Sequence, residues 1–215
     1  QDLLAGVDPQ VAIGEPSGGQ RRPGLLGLVS IFTNNVTGIG ATNFDGTLNS
    51  TSGEVNTNNG TTVNVDGPGG LTTLGMTLTK IVSDGGSASG LSIQDTNGSF
   101  TVTGSGGSCT SSATCTGGSL SNKSGAGNGT DGAFLRSAVN VSLTRIFIQD
   151  NNGNGIFGGL VNGITIDVPR KILSNRFECP RGSPAKCARF KGWRFRKGRQ
   201  EMNGRQALIY ARIRQ

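Results

Sequence analysis

Ile93-Gln94-Asp95-Thr96-Asn97-Gly98 returns as Ile148-Gln149-Asp150-Asn151-Asn152-Gly153. A second echo flanks the later copy: Val139-Asn140 followed by Ser142-Leu143 resembles Val161-Asn162 followed by Ile164-Thr165, with Asn140 and Asn162 22 residues apart. Repetition at roughly 20–50 residues is the mark of a solenoid, in which each coil covers the next. Around these repeats the chain alternates. Val63 and Val65 flank Asn64, and Val141 and Leu143 flank Ser142, the period of two that half-buried strands require. Further strand-like runs fall at 28–32, 61–65, 74–82, 91–93, 100–103, 139–148 and 163–168. Gly and Asn between them suit tight corners, because both tolerate positive φ. The expected fold is mainly β: a right-handed parallel β-helix over residues 30–167, preceded by a lead-in at 1–29 and followed by a small basic α/β segment at 168–215. A β-sandwich is the competing arrangement. Residues 105–131, rich in Gly, Ser and Thr, read as a flexible loop thrown out between coils.

Composition excludes several classes. The 215 residues include 37 Gly and no His, and only 33% are hydrophobic. Without His there is no Ser-His-Asp or Cys-His nucleophile and no His-ligated metal. No apolar run approaches the roughly 18 residues of a membrane span. The net charge of +7 hides a split: residues 1–169 hold 6 Lys/Arg against 11 Asp/Glu, and residues 170–215 hold 14 against 2. So abrupt a change argues for two units.

Asp95 and Asp150 occupy equivalent places in the repeat, and paired carboxylates are what glycoside hydrolysis requires. The simpler reading of Asp-x-Asn-Gly is an Asx-turn at a coil corner. Four cysteines form two close pairs, Cys109/Cys115 and Cys179/Cys187. Local disulfides outside the cytoplasm are the simplest reading, although four Cys allow three pairings. In the basic segment, Asn203 with Gln206 forms a capping-box-like helix start, and Ala207, Leu208 and Ala211 then share one apolar stripe. Trp193 and Phe195 alternate with Arg194, Arg196 and Lys197, a mix suited to stacking and phosphate contact. The pattern matches no standard RNA module, and the cysteines point to export, so no specific nucleic acid is expected.

Two resemblances add to this. Gly90-Leu-Ser-Ile-Gln-Asp-Thr-Asn-Gly-Ser-Phe-Thr-Val-Thr-Gly104 and Val139-Asn-Val-Ser-Leu-Thr-Arg-Ile-Phe-Ile-Gln-Asp-Asn-Asn-Gly-Asn-Gly-Ile-Phe-Gly158 resemble bacterial β-strand-repeat exoproteins, which implies parallel β-helices on or outside the cell. Residues 159–215 resemble the C-terminal part of the LytR-CpsA-Psr family through Ile166-Asp-Val-Pro169, Cys179 and Cys187, Gly192-Trp-Arg-Phe195, Lys197-Gly198, Met202-Asn-Gly204 and Ala207-Leu-Ile-Tyr-Ala-Arg-Ile-Arg214. That resemblance implies transfer of an anionic glycopolymer from polyprenyl pyrophosphate to peptidoglycan, usually with Mg²⁺. Arg212 and Arg214 would then hold the pyrophosphate, as guanidinium groups do well. The segment Leu3-Leu-Ala-Gly-Val-Asp-Pro-Gln10 lacks the Arg that the family carries near its start.

The expected function is therefore a cell-envelope or extracellular solenoid whose cationic tail (Arg194, Arg196, Lys197, Arg199, Arg205) binds anionic wall polymer, peptidoglycan or a polyprenyl-pyrophosphate-linked glycan. No metal ligands and no certain cofactor are expected on this reading. The alternative is a LytR-CpsA-Psr-type transferase, with Mg²⁺ as its cofactor and Arg212 and Arg214 as catalytic residues.

Overall fold

The computed structural model describes residues 11–12, 24–125, 130–167, 175–179, 189–190 and 207–211, and the side-chain surroundings of 30–125 and 130–167. The described residues form eighteen strands in succession. The first nine are β1 (Val11–Ala12), β2 (Gly24–Asn34), β3 (Ile39–Thr42), β4 (Thr47–Asn58), β5 (Val63–Asp66), β6 (Thr72–Leu78), β7 (Lys80–Asp84), β8 (Leu91–Gln94) and β9 (Thr96–Val102). The rest are β10 (Gly118–Ser121), β11 (Ala133–Arg136), β12 (Val139–Thr144), β13 (Ile146–Gln149), β14 (Ile156–Gly159), β15 (Asn162–Asp167), β16 (Asn175–Cys179), β17 (Arg189–Phe190) and β18 (Ala207–Ala211). No helix occurs among the described residues.

The chain winds as a parallel β-solenoid of about five turns with three faces. The first face stacks β1, β3, β5, β8, β11, β14 and β16. The second stacks the first halves of β2 and β4, then β6, β9, β12, β15 and β17; the third stacks their second halves, then β7, β10 and β13. β4 serves both faces because the chain bends within it. Its Leu48 pairs with Leu74 of β6, and its Val55 with Ile81 of β7.

Alternation places one row of apolar side chains over the next. Inside the first face run Ile39, Val63, Leu91, Ala133 and Ile156; inside the second run Met76, Phe100, Val141 and Ile164. All belong to one continuous core. Corners repeat as well. The residue that leaves the third face in each coil is left-handed: Asn35, Asn59, Gly85, Asn122 and Asp150. Short polar side chains and Gly are the residues that accept this conformation.

The corner between second and third faces is one residue after β6 (Thr79) and after β12 (Arg145), but residues 103–117 after β9. The expected loop at 105–131 is thus interrupted. Gly118–Ser121 is strand β10, buried along its length and paired with β7 and β13. Leu120 alone among large apolar residues marks it in the sequence, so composition hides it. Gly118 has φ +98°, and a Cβ there would run into the Ile81 carbonyl, which only Gly avoids.

Two further expectations change. The 22-residue spacing of Asn140 and Asn162 is one short of the true register, in which Val139 pairs with Asn162 and Val141 with Ile164. Over Ala207–Ala211, where a helical stripe was expected, β18 lies antiparallel to β16. Ile209 and Tyr210 favour a strand, and the β16 edge offers backbone partners.

Candidate functional site

Cys109 and Cys115 are joined in a disulfide. It lies within the 103–117 insertion, where the Thr110 and Ser111 amides both donate to Thr114 Oγ1 at 3.0 Å. Of the other expected site residues, Arg194, Arg196, Lys197, Arg199, Arg205, Arg212, Arg214 and Cys187 lie outside the described residues, and Cys179 is the last residue of β16.

Asp95 and Asp150 do not form a carboxylate pair. Asp95 follows β8 on the first face and Asp150 follows β13 on the third, both left-handed (φ 49° and 53°). The repeat marks two different corners of the coil, each built as buried Ile, Gln, then a left-handed Asp. Asp95 is also engaged: Arg136 Nη2 lies 2.7 Å from its Oδ2 and 3.9 Å from Asp66 Oδ1.

The most unusual chemistry lies where the chain leaves the third face. Lys123, just after β10, is 1% exposed. Its Nζ donates to Gly60 O at 3.1 Å, Ser83 Oγ at 2.5 Å and Gly85 O at 2.5 Å. Ser83 Oγ donates in turn to Gly60 O at 2.5 Å, and Thr57 Oγ1 donates to the same carbonyl at 3.0 Å. One ammonium therefore ties three coils. Burial pulls Lys123 down to about 8, against the nearby Asp84 charge, which raises it. Desolvation wins because carbonyls and a hydroxyl replace hydration only in part.

Asp131, at the turn before β11, is likewise 1% exposed. Its Oδ1 accepts from Asn154 N at 2.5 Å and Asn154 Nδ2 at 2.9 Å, and its Oδ2 is buried without a partner. Burial raises its pKa above the ordinary carboxylate range, and the two Asn154 hydrogen bonds lower it in part. Lys123 and Asp131 are absent from the sequence reading. The only signal was two charges in an otherwise neutral Gly/Ser/Asn run. Their depth in the solenoid makes them structural groups rather than substrate contacts.

Among the described residues no group of three or more His, Cys, Asp or Glu could hold a metal ion, and no helix is long and apolar enough to cross a membrane. The described geometry defines the chain as a parallel β-solenoid with polar staples at its corners. No protein-family model, curated protein or solved structure matches the chain.

Proposed function

We propose that this is an extracellular or cell-envelope solenoid that holds an anionic wall polymer, or an anionic lipid-linked precursor of one, through its basic C-terminal segment. The observation that carries the reading is charge segregation. Residues 30–167 contain 8 Asp/Glu and 4 Lys/Arg, and residues 170–215 contain 14 Lys/Arg and 2 Asp/Glu. On the solenoid, Lys80 faces Glu54 at 3.8 Å and Arg136 faces Asp95 and Asp66, so little free positive charge remains there. A polyanion is repelled by the acidic coils and attracted to the tail, an attraction that salt screens. The solenoid contributes length and rigidity.

The test is binding of the full chain to an immobilised phosphate-rich wall polymer across a salt series. The comparison is the quadruple variant Arg194→Ala/Arg196→Ala/Lys197→Ala/Arg199→Ala. The reading expects affinity to fall steeply with salt and to weaken in the quadruple variant. Binding to polyprenyl pyrophosphate vesicles that resists salt, needs Mg²⁺ and vanishes in Arg212→Ala/Arg214→Ala would replace this reading with the transferase.

A further inference from the structure

One inward column of the third face changes character along the stack. It runs Thr33, Thr57 and Ser83, register partners in successive coils, and continues as Leu120 and Ile148. All five are buried. The hydroxyls turn back onto the corner backbone. Thr33 Oγ1 donates to Val36 O at 3.0 Å, Thr57 Oγ1 to Gly60 O at 3.0 Å, and Ser83 Oγ to the same Gly60 O at 2.5 Å. The Lys123 ammonium meets the last hydroxyl of the column, Ser83, where polar gives way to apolar.

What faces that ammonium is a set of acceptors. Gly60 O and Gly85 O are carbonyls, and Ser83 Oγ donates its hydrogen to Gly60 O, so its lone pairs are left for Nζ. Lone pairs that converge on one buried point repel one another unless a positive charge stands between them. A water molecule has two hydrogens, too few for the three oxygens. Among the described residues no carboxylate is in salt-bridge contact with Nζ. Asp84 lies near, but its Oδ1 accepts from Ser121 Oγ at 3.0 Å and Asn122 Nδ2 at 2.7 Å. Neutral oxygens of this kind suit a singly charged ion, as in channels where backbone carbonyls replace hydration. Ca²⁺ and Mg²⁺ sites rely on carboxylates.

We propose that Gly60 O, Ser83 Oγ and Gly85 O form a binding site for a monovalent cation, which the chain fills with its own ammonium. Lys123 is in effect a tethered ion. A free cation would stabilise the fold only in proportion to its concentration relative to its Kd; the tether removes that dependence. The stability of the corner therefore does not follow the potassium or ammonium content of the surroundings. With the side chain cut away, the same oxygens select small singly charged ions from solution. Ammonium and potassium are close in size to the lost group, and propylammonium also replaces the lost methylenes. Tetramethylammonium carries the charge, but its methyl groups hold it off the oxygens. The inference concerns the solenoid and does not depend on the basic segment.

The test is chemical denaturation of the full chain carrying Lys123→Ala, at pH 7 and equal ionic strength. The salts are the chlorides of ammonium, potassium, propylammonium and tetramethylammonium, with wild type run in parallel to remove general salt effects. Relative to wild type, the midpoint of the variant should rise with ammonium, potassium and propylammonium, level off as the site fills, and stay low in tetramethylammonium. Adding Ser83→Ala takes away one oxygen and should weaken the response. Lys123→Met fills the space with an apolar chain and should give none. Should Lys123→Ala be unfolded in tetramethylammonium, circular dichroism reads the same binding as recovery of β-structure on adding ammonium or propylammonium. A variant that tracks wild type in all four salts, or stays unfolded in all of them, would overturn the proposal. So would an equal response in Lys123→Met, or an undiminished one in the Ser83→Ala double variant.

Discussion

Lys123 makes the stability of the solenoid rise with alkalinity. An unfolded Lys keeps its proton up to its ordinary pKa near 10.5, and the folded Lys123 releases it at about 8. Between those values the unfolded chain binds more protons, so unfolding becomes harder as pH increases. Below pH 8 both states are charged and the fold bears the full desolvation cost. The difference in pKa corresponds to about 3 kcal/mol, relieved progressively between pH 8 and 10.5. Chemical denaturation of the full chain across this window should show a stability gain approaching that size. Lys123→Met keeps the bulk and removes the titration, so its profile should lack this gain. At pH 7 the variant sheds the charging cost but leaves acceptors such as Gly85 O without their donor, at about 1–3 kcal/mol for a buried group. It should therefore lie close to the wild type at neutral pH and below it at pH 10. A wild-type profile flat between pH 8 and 10.5, or an equal rise in Lys123→Met, would refute the reasoning.

Asp131 gives the opposite trend on the acid side. Its folded pKa is raised, so the folded chain takes up its proton first, and stability contributed by this group increases as pH falls from that value to the ordinary carboxylate pKa. Asp131→Asn keeps an acceptor for Asn154 and loses the charge; denaturation at pH 7 should find it at least as stable as wild type, with the acid gain removed. Phe100, fully buried between Met76 and Val141 in register, should cost about 3–5 kcal/mol when cut to Ala, read as a lowered denaturation midpoint.

The repeat around Ile93 and Ile148 was enough to identify stacked coils, because alternation and Gly/Asn corners are local properties of the chain. It was not enough to set the register. A triangular coil reuses one corner recipe, so Asp95 and Asp150 look equivalent while belonging to different corners. The Lys123 staple was illegible for a related reason: its partners Gly60, Ser83 and Gly85 come from earlier coils, and no spacing in the sequence brings them together before the stack exists. Strand β10 was missed because Gly-Ser-Leu-Ser has weak strand propensity and owes its form to Ile81 and Ile146 on either side. Ala207–Ala211 failed in the other direction: five residues carry too little pattern to separate a helical stripe from an edge strand.

The corner between second and third faces accommodates a single residue after β6 and fifteen after β9 (residues 103–117) without disturbing the pairing of β10 to β7 or β13. Lengthening a surface loop costs little, since closure entropy grows only with the logarithm of its length. That corner is consequently an address where evolution, or an engineer, can graft new sequence onto one rung while the ladder above and below keeps its spacing.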